Sequence, residues 1–185
     1  DDPAGYYDLL QQARMDNDSE VVHYASTALS QITKEADLKL QKLEQRYAAA
    51  PDDAAVLEEY CNYLESYLKD GFVQGRAAEI QRHQLEQLLK KRLENLGGRR
   101  SCTLECRLAD VQLSLAEYDR AEKTLEELTA RWPQREAPWV LCLRLAAARR
   151  DGEAIRKTLG QIEEKEGYLS AKGREIVRFW QGKQQ

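Results

Sequence analysis

The chain has little of what β-sheets and membrane spans require. Among 185 residues there are only four prolines, ten glycines and two phenylalanines, whereas 32% of the residues are charged. Such a balance is typical of amphipathic helices rather than sheets, so we expect an all-α fold. No apolar run approaches the roughly 18 residues that a transmembrane helix needs, and the mean hydropathy is -0.71. The sequence therefore predicts no membrane span in this segment.

The chain also lacks an excess of positive charge. Its net charge is -4 and its isoelectric point is about 5.4, which argues against a nucleic-acid binder because such proteins carry a basic face. The densest basic stretches, Lys90–Arg92, Arg99–Arg100 and Arg149–Arg150, are interpreted as solvated surface, with an acidic partner or anionic lipid as the alternative. Because the sequence opens on Asp1 rather than Met and shows no signal peptide, we expect a soluble piece of a longer protein.

Groups that carry chemistry are scarce. The four cysteines lack the spacing of a disulfide framework, which favours a reducing compartment. Cys102 and Cys106 share one helical face and could begin a metal site, but no further ligand follows nearby, so we interpret them as small buried hydrophobes. His23 is interpreted as a packing residue and His83 as an exposed one. With no catalytic triad order and no phosphate-binding glycine loop, we expect neither an enzyme nor a cofactor.

Helix start and stop signals divide the chain into short-looped helical segments. Pro51 ends one segment, Asp52 is a suitable N-cap for the next, and Gly97 and Gly98 end a long one. The pattern leaves open whether Thr33 separates two helices. The expected segments are residues 3–15, 19–50, 53–68, 75–96, 102–115, 118–131, 137–149, 152–165 and 169–181.

Small residues at regular intervals predict closely packed helix pairs. Ala109 is followed after twelve residues by Ala121, and Pro133 follows after twelve more. Small side chains at these positions let paired helices approach where a leucine would hold them apart. The same layout is expected to recur thirty-three residues later, with Cys142 in the place of Ala109 and Ala154 in that of Ala121. The residues that complete the pattern are Leu108, Tyr118, Leu125 and Leu128.

This layout resembles the tetratricopeptide repeat, in which helix-turn-helix units stack into a superhelix. The resemblance implies a right-handed α-solenoid of antiparallel helix pairs over residues 51–185, which ends in a C-terminal capping helix. The copy from about Ser101 to Pro133 matches well, and the next is weaker because Glu166 replaces the closing proline. An earlier unit has Cys61 in the small position, but the insertion "KDGFVQGR" makes that unit irregular.

The N-terminal segment shows a different resemblance. An acidic turn followed by the Ala-rich stretch "VVHYASTAL" resembles the second helix of a HEAT-type unit, so residues 1–50 are expected to form an atypical helical cap. Together with the long polar helix and the acidic array, this stretch is similar to the PelE family, accessory subunits of bacterial Pel exopolysaccharide synthesis and export. That resemblance implies membrane helices ahead of the soluble region, a place at the cytoplasmic face of the inner membrane, and other Pel subunits as partners, including a cyclic-dinucleotide receptor and a membrane transporter.

These features favour a non-catalytic protein-interaction scaffold. Tyr60, Tyr63 and Tyr67 form one helical face, which is interpreted as a packed seam or, alternatively, as a partner contact. The first helices of tetratricopeptide units line the binding groove, so Tyr63, Tyr67, Arg107, Gln112 and Arg144 are the candidate contacts. An adaptor of an unrelated periplasmic or cytosolic assembly, such as outer-membrane protein assembly or a chaperone, is the alternative. An enzyme or sugar-binding protein would need a deep pocket.

Overall fold

The described part of the protein consists of helices. The computed structural model describes residues 3–164 and 169–182, and within them there are nine helices and no strand, which confirms the all-α prediction. None of these helices is both long and apolar enough to cross a membrane. The helices are α1 (Pro3–Ala13), α2 (Ser19–Ala49), α3 (Ala54–Lys69), α4 (Gly75–Glu94), α5 (Cys102–Ser114), α6 (Tyr118–Arg131), α7 (Glu136–Ala148), α8 (Gly152–Glu164) and α9 (Ala171–Gly182).

Side-chain caps explain where several helices begin. The Asp18 carboxylate accepts the Glu20 N–H at 2.8 Å, and the Ser101 hydroxyl accepts the Leu104 N–H at 3.4 Å. The cap of α3 is Asp53, whose carboxylate accepts the Ala55 N–H at 2.8 Å, so the assignment of this cap to Asp52 was wrong by one residue. Such caps satisfy N–H groups that have no partner within the helix.

The helix α2 is continuous through the position that the sequence left open. It extends over 31 residues, with Thr33 inside it, because apolar residues keep one buried stripe along its whole length. The buried residues of α2 are Ala25, Leu29, Ala36, Leu40 and Leu43. The HEAT-like character expected for residues 1–50 stays a prediction.

The chain divides into two compact units, Asp1–Leu88 and Leu89–Gln185. In the first unit, α1 and α3 both pack against α2. The domain boundary expected after residue 50 therefore lies elsewhere, because α2 and α3, on either side of it, belong to the same core. The unit boundary falls within α4.

The second unit repeats one pattern of helix contacts. The helix α5 packs on α6 and α7, and α6 also packs on α7. Two helices further along the chain, α7 packs on α8 and α9, and α8 also packs on α9. Leu125 and Leu128 of α6 meet Leu141 and Leu145 of α7 in one apolar cluster, and α7, α8 and α9 share a second cluster around Leu143.

The repeat in this unit has a period of 34 residues. The helices α5 and α7 begin 34 residues apart, at Cys102 and Glu136. The turns that follow them match as well, since Ala116 and Arg150 both adopt a left-handed backbone with φ of 57°. In both turns the next N–H group bonds back to the first helix, from Glu117 and from Asp151.

This period corrects the small positions of the second helix pair. Ala109 and Ala121 are fully buried, with 0% exposure, as expected for close helix packing. Thirty-four residues later stand Leu143 and Ile155, which are buried as well, so neither Cys142 nor Ala154 is the counterpart of an alanine in the first pair. The spacing of thirty-three followed the small residues, whereas the second pair fills its interior with larger side chains.

We expect Ala121→Leu to lower the free energy of unfolding by about 1–3 kcal/mol, because the larger side chain has no space at this fully buried position. Ala130→Leu is the matched control, since Ala130 is exposed on the same helix. Urea unfolding of both variants measures the difference. Equal stability of the two variants would show that α6 does not depend on close approach at Ala121.

Candidate partner-binding groove

One face of the second unit is formed by α5, α7 and α9, each of which contacts the next. Arg144 of α7 pairs with Asp110 of α5, 34 residues earlier in the chain. Both side chains keep substantial exposure, 52% for Arg144 and 42% for Asp110. The pair therefore forms part of an accessible surface, where an ion pair is expected to contribute about 0–1 kcal/mol.

An open apolar groove lies between α7 and α9, with a volume of about 410 Å³. We call it the α7–α9 groove. Phe179 is 53% exposed there, so a large aromatic ring faces solvent, while Arg144 and Glu175 place opposite charges along the groove. The groove residues are Val140, Leu143, Arg144, Glu175, Ile176, Phe179 and Trp180.

A carboxylate at the start of α7 positions the start of α9. Glu136 accepts the Ser170 N–H at 2.5 Å and the Ser170 hydroxyl at 2.9 Å. The Ser170 hydroxyl also caps α9 by accepting the Gly173 N–H at 3.0 Å. A Cβ atom at Gly173 would lie 2.5 Å from the Glu136 carboxyl carbon, so this close approach requires glycine. Charge-assisted bonds of this kind are the stronger class of hydrogen bond.

The two long faces of α9 differ in polarity. Val177, Ile176 and Trp180 pack against the apolar cluster of α7 and α8. Arg174, Arg178 and Gln181 are exposed. The helix begins at Ala171, one residue later than the period of 34 would place it, and this shift of about 100° around the helix axis exposes Phe179 rather than burying it.

The predicted contact residues of the second unit fall in different environments. Arg144 lines the α7–α9 groove. Gln112 is only 4% exposed and accepts a hydrogen bond from the Thr124 hydroxyl at 3.0 Å, so it supports the α5–α6 contact and is not accessible to a partner. Arg107 is half-buried on α5. Of these three predicted residues, only Arg144 belongs to the groove.

The remaining signature residues differ in burial. Leu125 and Leu128 are buried in the α6–α7 cluster. The others are half-buried: Leu108, Tyr118, Pro133, Cys142 and Ala154.

The tyrosine face of the first unit is a seam between helices. The Tyr63 hydroxyl donates to the Ala36 carbonyl at 3.0 Å, and the Tyr67 hydroxyl donates to Asp37 at 2.6 Å. Tyr60 and Tyr67 are buried, with 2% and 6% exposure. Burial, followed by the bond to Asp37, raises the pKa of the Tyr67 phenol. The packed-seam interpretation accounts for all of these contacts, and partner contact by Tyr63 or Tyr67 stays a prediction.

A second cleft, of about 230 Å³, lies among α6, α7 and α8. Several of its charged groups are paired, since Arg149 donates to Glu122 at 2.9 Å and to Asp119 at 2.7 Å. Burial, with a smaller contribution from Glu126, raises the pKa of the Cys142 thiol to about 12. A thiol that stays protonated at neutral pH is a poor nucleophile.

Sequence reasoning missed most of the groove. Phe179 and Ile176 lie on the last helix, beyond the two repeats whose spacing could be compared. Glu136 and Gly173 were missed because their importance depends on a contact between helices that are far apart in sequence. The one available signal was the amphipathic pattern of α9, in which an aromatic residue departs from the apolar stripe.

No protein-family model matches the chain, and neither a curated protein nor a solved structure matches it. The fold and the groove therefore carry the functional argument.

Stability should fall at alkaline pH because the folded-state pKa of Tyr67 is raised. Such a group contributes stability that is fully present below its unfolded pKa of about 10 and is lost as the pH rises above it. We expect Tyr67→Phe to cost about 1–3 kcal/mol at neutral pH and to show a shallower loss of stability above about pH 9.5. Urea unfolding across this pH range tests the prediction, with the exposed Tyr24→Phe as the control. An unchanged slope for Tyr67→Phe would contradict it.

Gly173→Ala should be unfavourable only while Glu136 is present. The added Cβ displaces the Glu136 carboxylate and breaks its bonds to Ser170. We therefore expect the substitution to be less favourable in the wild type than in a Glu136→Ala background, by about 1–3 kcal/mol. Without Glu136, alanine should stabilise α9 by up to about 1 kcal/mol through its helix propensity. A double-mutant cycle in urea measures this coupling, and equal effects in both backgrounds would exclude the clamp.

Proposed function

We propose that this protein is a non-catalytic interaction scaffold whose second unit is a tetratricopeptide-like, right-handed solenoid of antiparallel helix pairs. The observation that carries the proposal is the recurrence, after 34 residues, of the same helix starts and left-handed turns. This equals the period of tetratricopeptide repeats. The repeated contact of each first helix with its partner helix and with the next first helix also supports stacking.

The α7–α9 groove is the proposed binding surface. A helical or extended segment of a partner would place an apolar side chain against Phe179, and burial of such a side chain contributes about 1.5–3 kcal/mol. Arg144 and Glu175 would orient the segment through their opposite charges. The exposed polar residues of α9 suit a capping helix, because a terminal repeat needs a polar outer face.

The proposed setting is a Pel-type exopolysaccharide complex at the cytoplasmic face of the bacterial inner membrane. The support is the resemblance of "VVHYASTAL", the long polar helix and the acidic array to the PelE family. In this setting the partners are other subunits of the complex, and membrane helices of the intact protein would hold the scaffold beside them. No nucleic acid, cofactor or catalytic step belongs to this proposal.

Co-purification tests the proposed groove. The intact protein is co-expressed with the subunits of a Pel-type complex, and we expect Phe179→Asp to lower their recovery by at least about tenfold, or 1.4 kcal/mol, because a charge replaces the apolar anchor. Leu38→Asp is the matched control, since Leu38 is also an exposed apolar residue of a helix, at 46% exposure. Unchanged recovery with Phe179→Asp would remove the groove from the proposal.

A ligand screen separates the scaffold from an enzyme or sugar-binding protein. Thermal unfolding is followed with nucleotides and with oligosaccharides at millimolar concentration. A scaffold should show no shift, whereas a clear rise in the melting temperature would overturn the proposal, because ligands stabilise the folded state that binds them.

A further inference from the structure

Three of the four cysteines are gathered in one cluster of the second unit. The sulfur atoms of Cys102 and Cys106, one turn apart on α5, lie 4.0 Å from each other. Cys142 of α7 packs in the same cluster, although 36 residues separate it from Cys106 in the sequence. The fold thus supplies a third thiol, whereas the sequence alone showed only the pair.

The distance between the two sulfur atoms suits a bound ion. With metal–thiolate bonds of about 2.3 Å, a separation of 4.0 Å corresponds to an S–metal–S angle of about 120°. This is the angle of a trigonal site, which has space for one further ligand. The helix does not have to move for an ion to bind both sulfur atoms.

A disulfide between the same two residues is disfavoured. Residues four apart on a helix have Cβ atoms about 5–6 Å apart, whereas a disulfide requires about 3.5–4.5 Å. Oxidation of this pair would therefore distort the first turns of α5. The geometry favours metal binding over a redox switch.

The ligand set limits which ion fits. Three thiols are soft ligands, and oxygen-preferring ions such as Mg²⁺ and Ca²⁺ do not select them. The neighbouring Glu105 carboxylate is held by Arg100 at 2.6 and 2.7 Å, so it is not available as a fourth ligand. Structural zinc sites need four protein ligands, whereas a soft monovalent ion is suited to fewer thiolates.

We propose that Cys102 and Cys106, with Cys142 beside them, form a binding site for a soft monovalent metal ion, of which Cu(I) is the representative. On binding, the S–H bonds of Cys102 and Cys106 break, two Cu–S bonds form and two protons pass to solvent. The oxidation state of the metal does not change. Cys102 is half-buried, whereas Cys106 is 8% exposed, so the ion enters past Cys102.

Proton release makes the binding dependent on pH. Burial, with a smaller contribution from Cys102, raises the pKa of the Cys106 thiol to about 12. The metal must therefore displace a proton that is held at neutral pH, and its affinity rises as the pH rises.

The test is an anaerobic titration of the protein with Cu(I) in competition with a Cu(I) chelator, followed by native mass spectrometry. We expect one Cu(I) per chain, and Cys102→Ala and Cys106→Ala should each weaken binding by at least about tenfold. Alanine keeps the small apolar character of these positions, and circular dichroism checks that each variant folds. Cys61→Ala is the matched control, because Cys61 is a buried cysteine in the first unit.

Three outcomes would overturn the site. They are the absence of stoichiometric Cu(I), undiminished binding by folded Cys102→Ala, and a loss of binding in Cys61→Ala equal to that in Cys106→Ala. A tighter complex at pH 8 than at pH 6, with the chelator calibrated at each pH, is a further expected result. Pairwise exchange of Cys142 for alanine should weaken the complex less than exchange of Cys106, since only the α5 pair binds as thiolates.

Discussion

The close approach of α5 and α6 is the constraint on which the second unit depends. Where Ala109 and Ala121 meet the neighbouring helix no side chain separates the backbones, and both residues are fully buried. That spacing leaves α7 free to contact both helices at once, with Leu141 and Leu145 packed against Leu125 and Leu128. Since each such leucine contributes about 1.5–3 kcal/mol on burial, the triangle of helices is stabilised by its interior.

The second pair reaches a similar arrangement with different side chains. Leu143 and Ile155 stand at the positions of the two alanines, and the left-handed turns are the same. The turn and the length of the helices are thus repeated more strictly than the volume of the interior residues. This is consistent with protein cores that tolerate exchanges of side chains when the total volume is kept.

Local signals predicted the helices well. Ser101 and the pair Gly97 and Gly98 mark boundaries through capping and backbone geometry, which depend on neighbouring residues alone. The register of the repeat was wrong by one residue, because Cys142 and Ala154 resemble the alanines in size and only the helix starts reveal their true positions. Phe179 could not be found either, since its exposure depends on a rotation of α9 that Glu136 and Ser170 help to hold.

The polar outer side of α9 limits how this array could be lengthened. Arg174, Arg178 and Gln181 would have to lose their hydration if another helix were laid over them, and each unpaired guanidinium would weigh against the new contact. Anyone grafting additional units onto this terminus would first need to recast those three positions as aliphatic residues. The same chemistry discourages end-to-end polymerisation of neighbouring molecules through α9, so the helix acts as a stop for growth as well as a lid for the core.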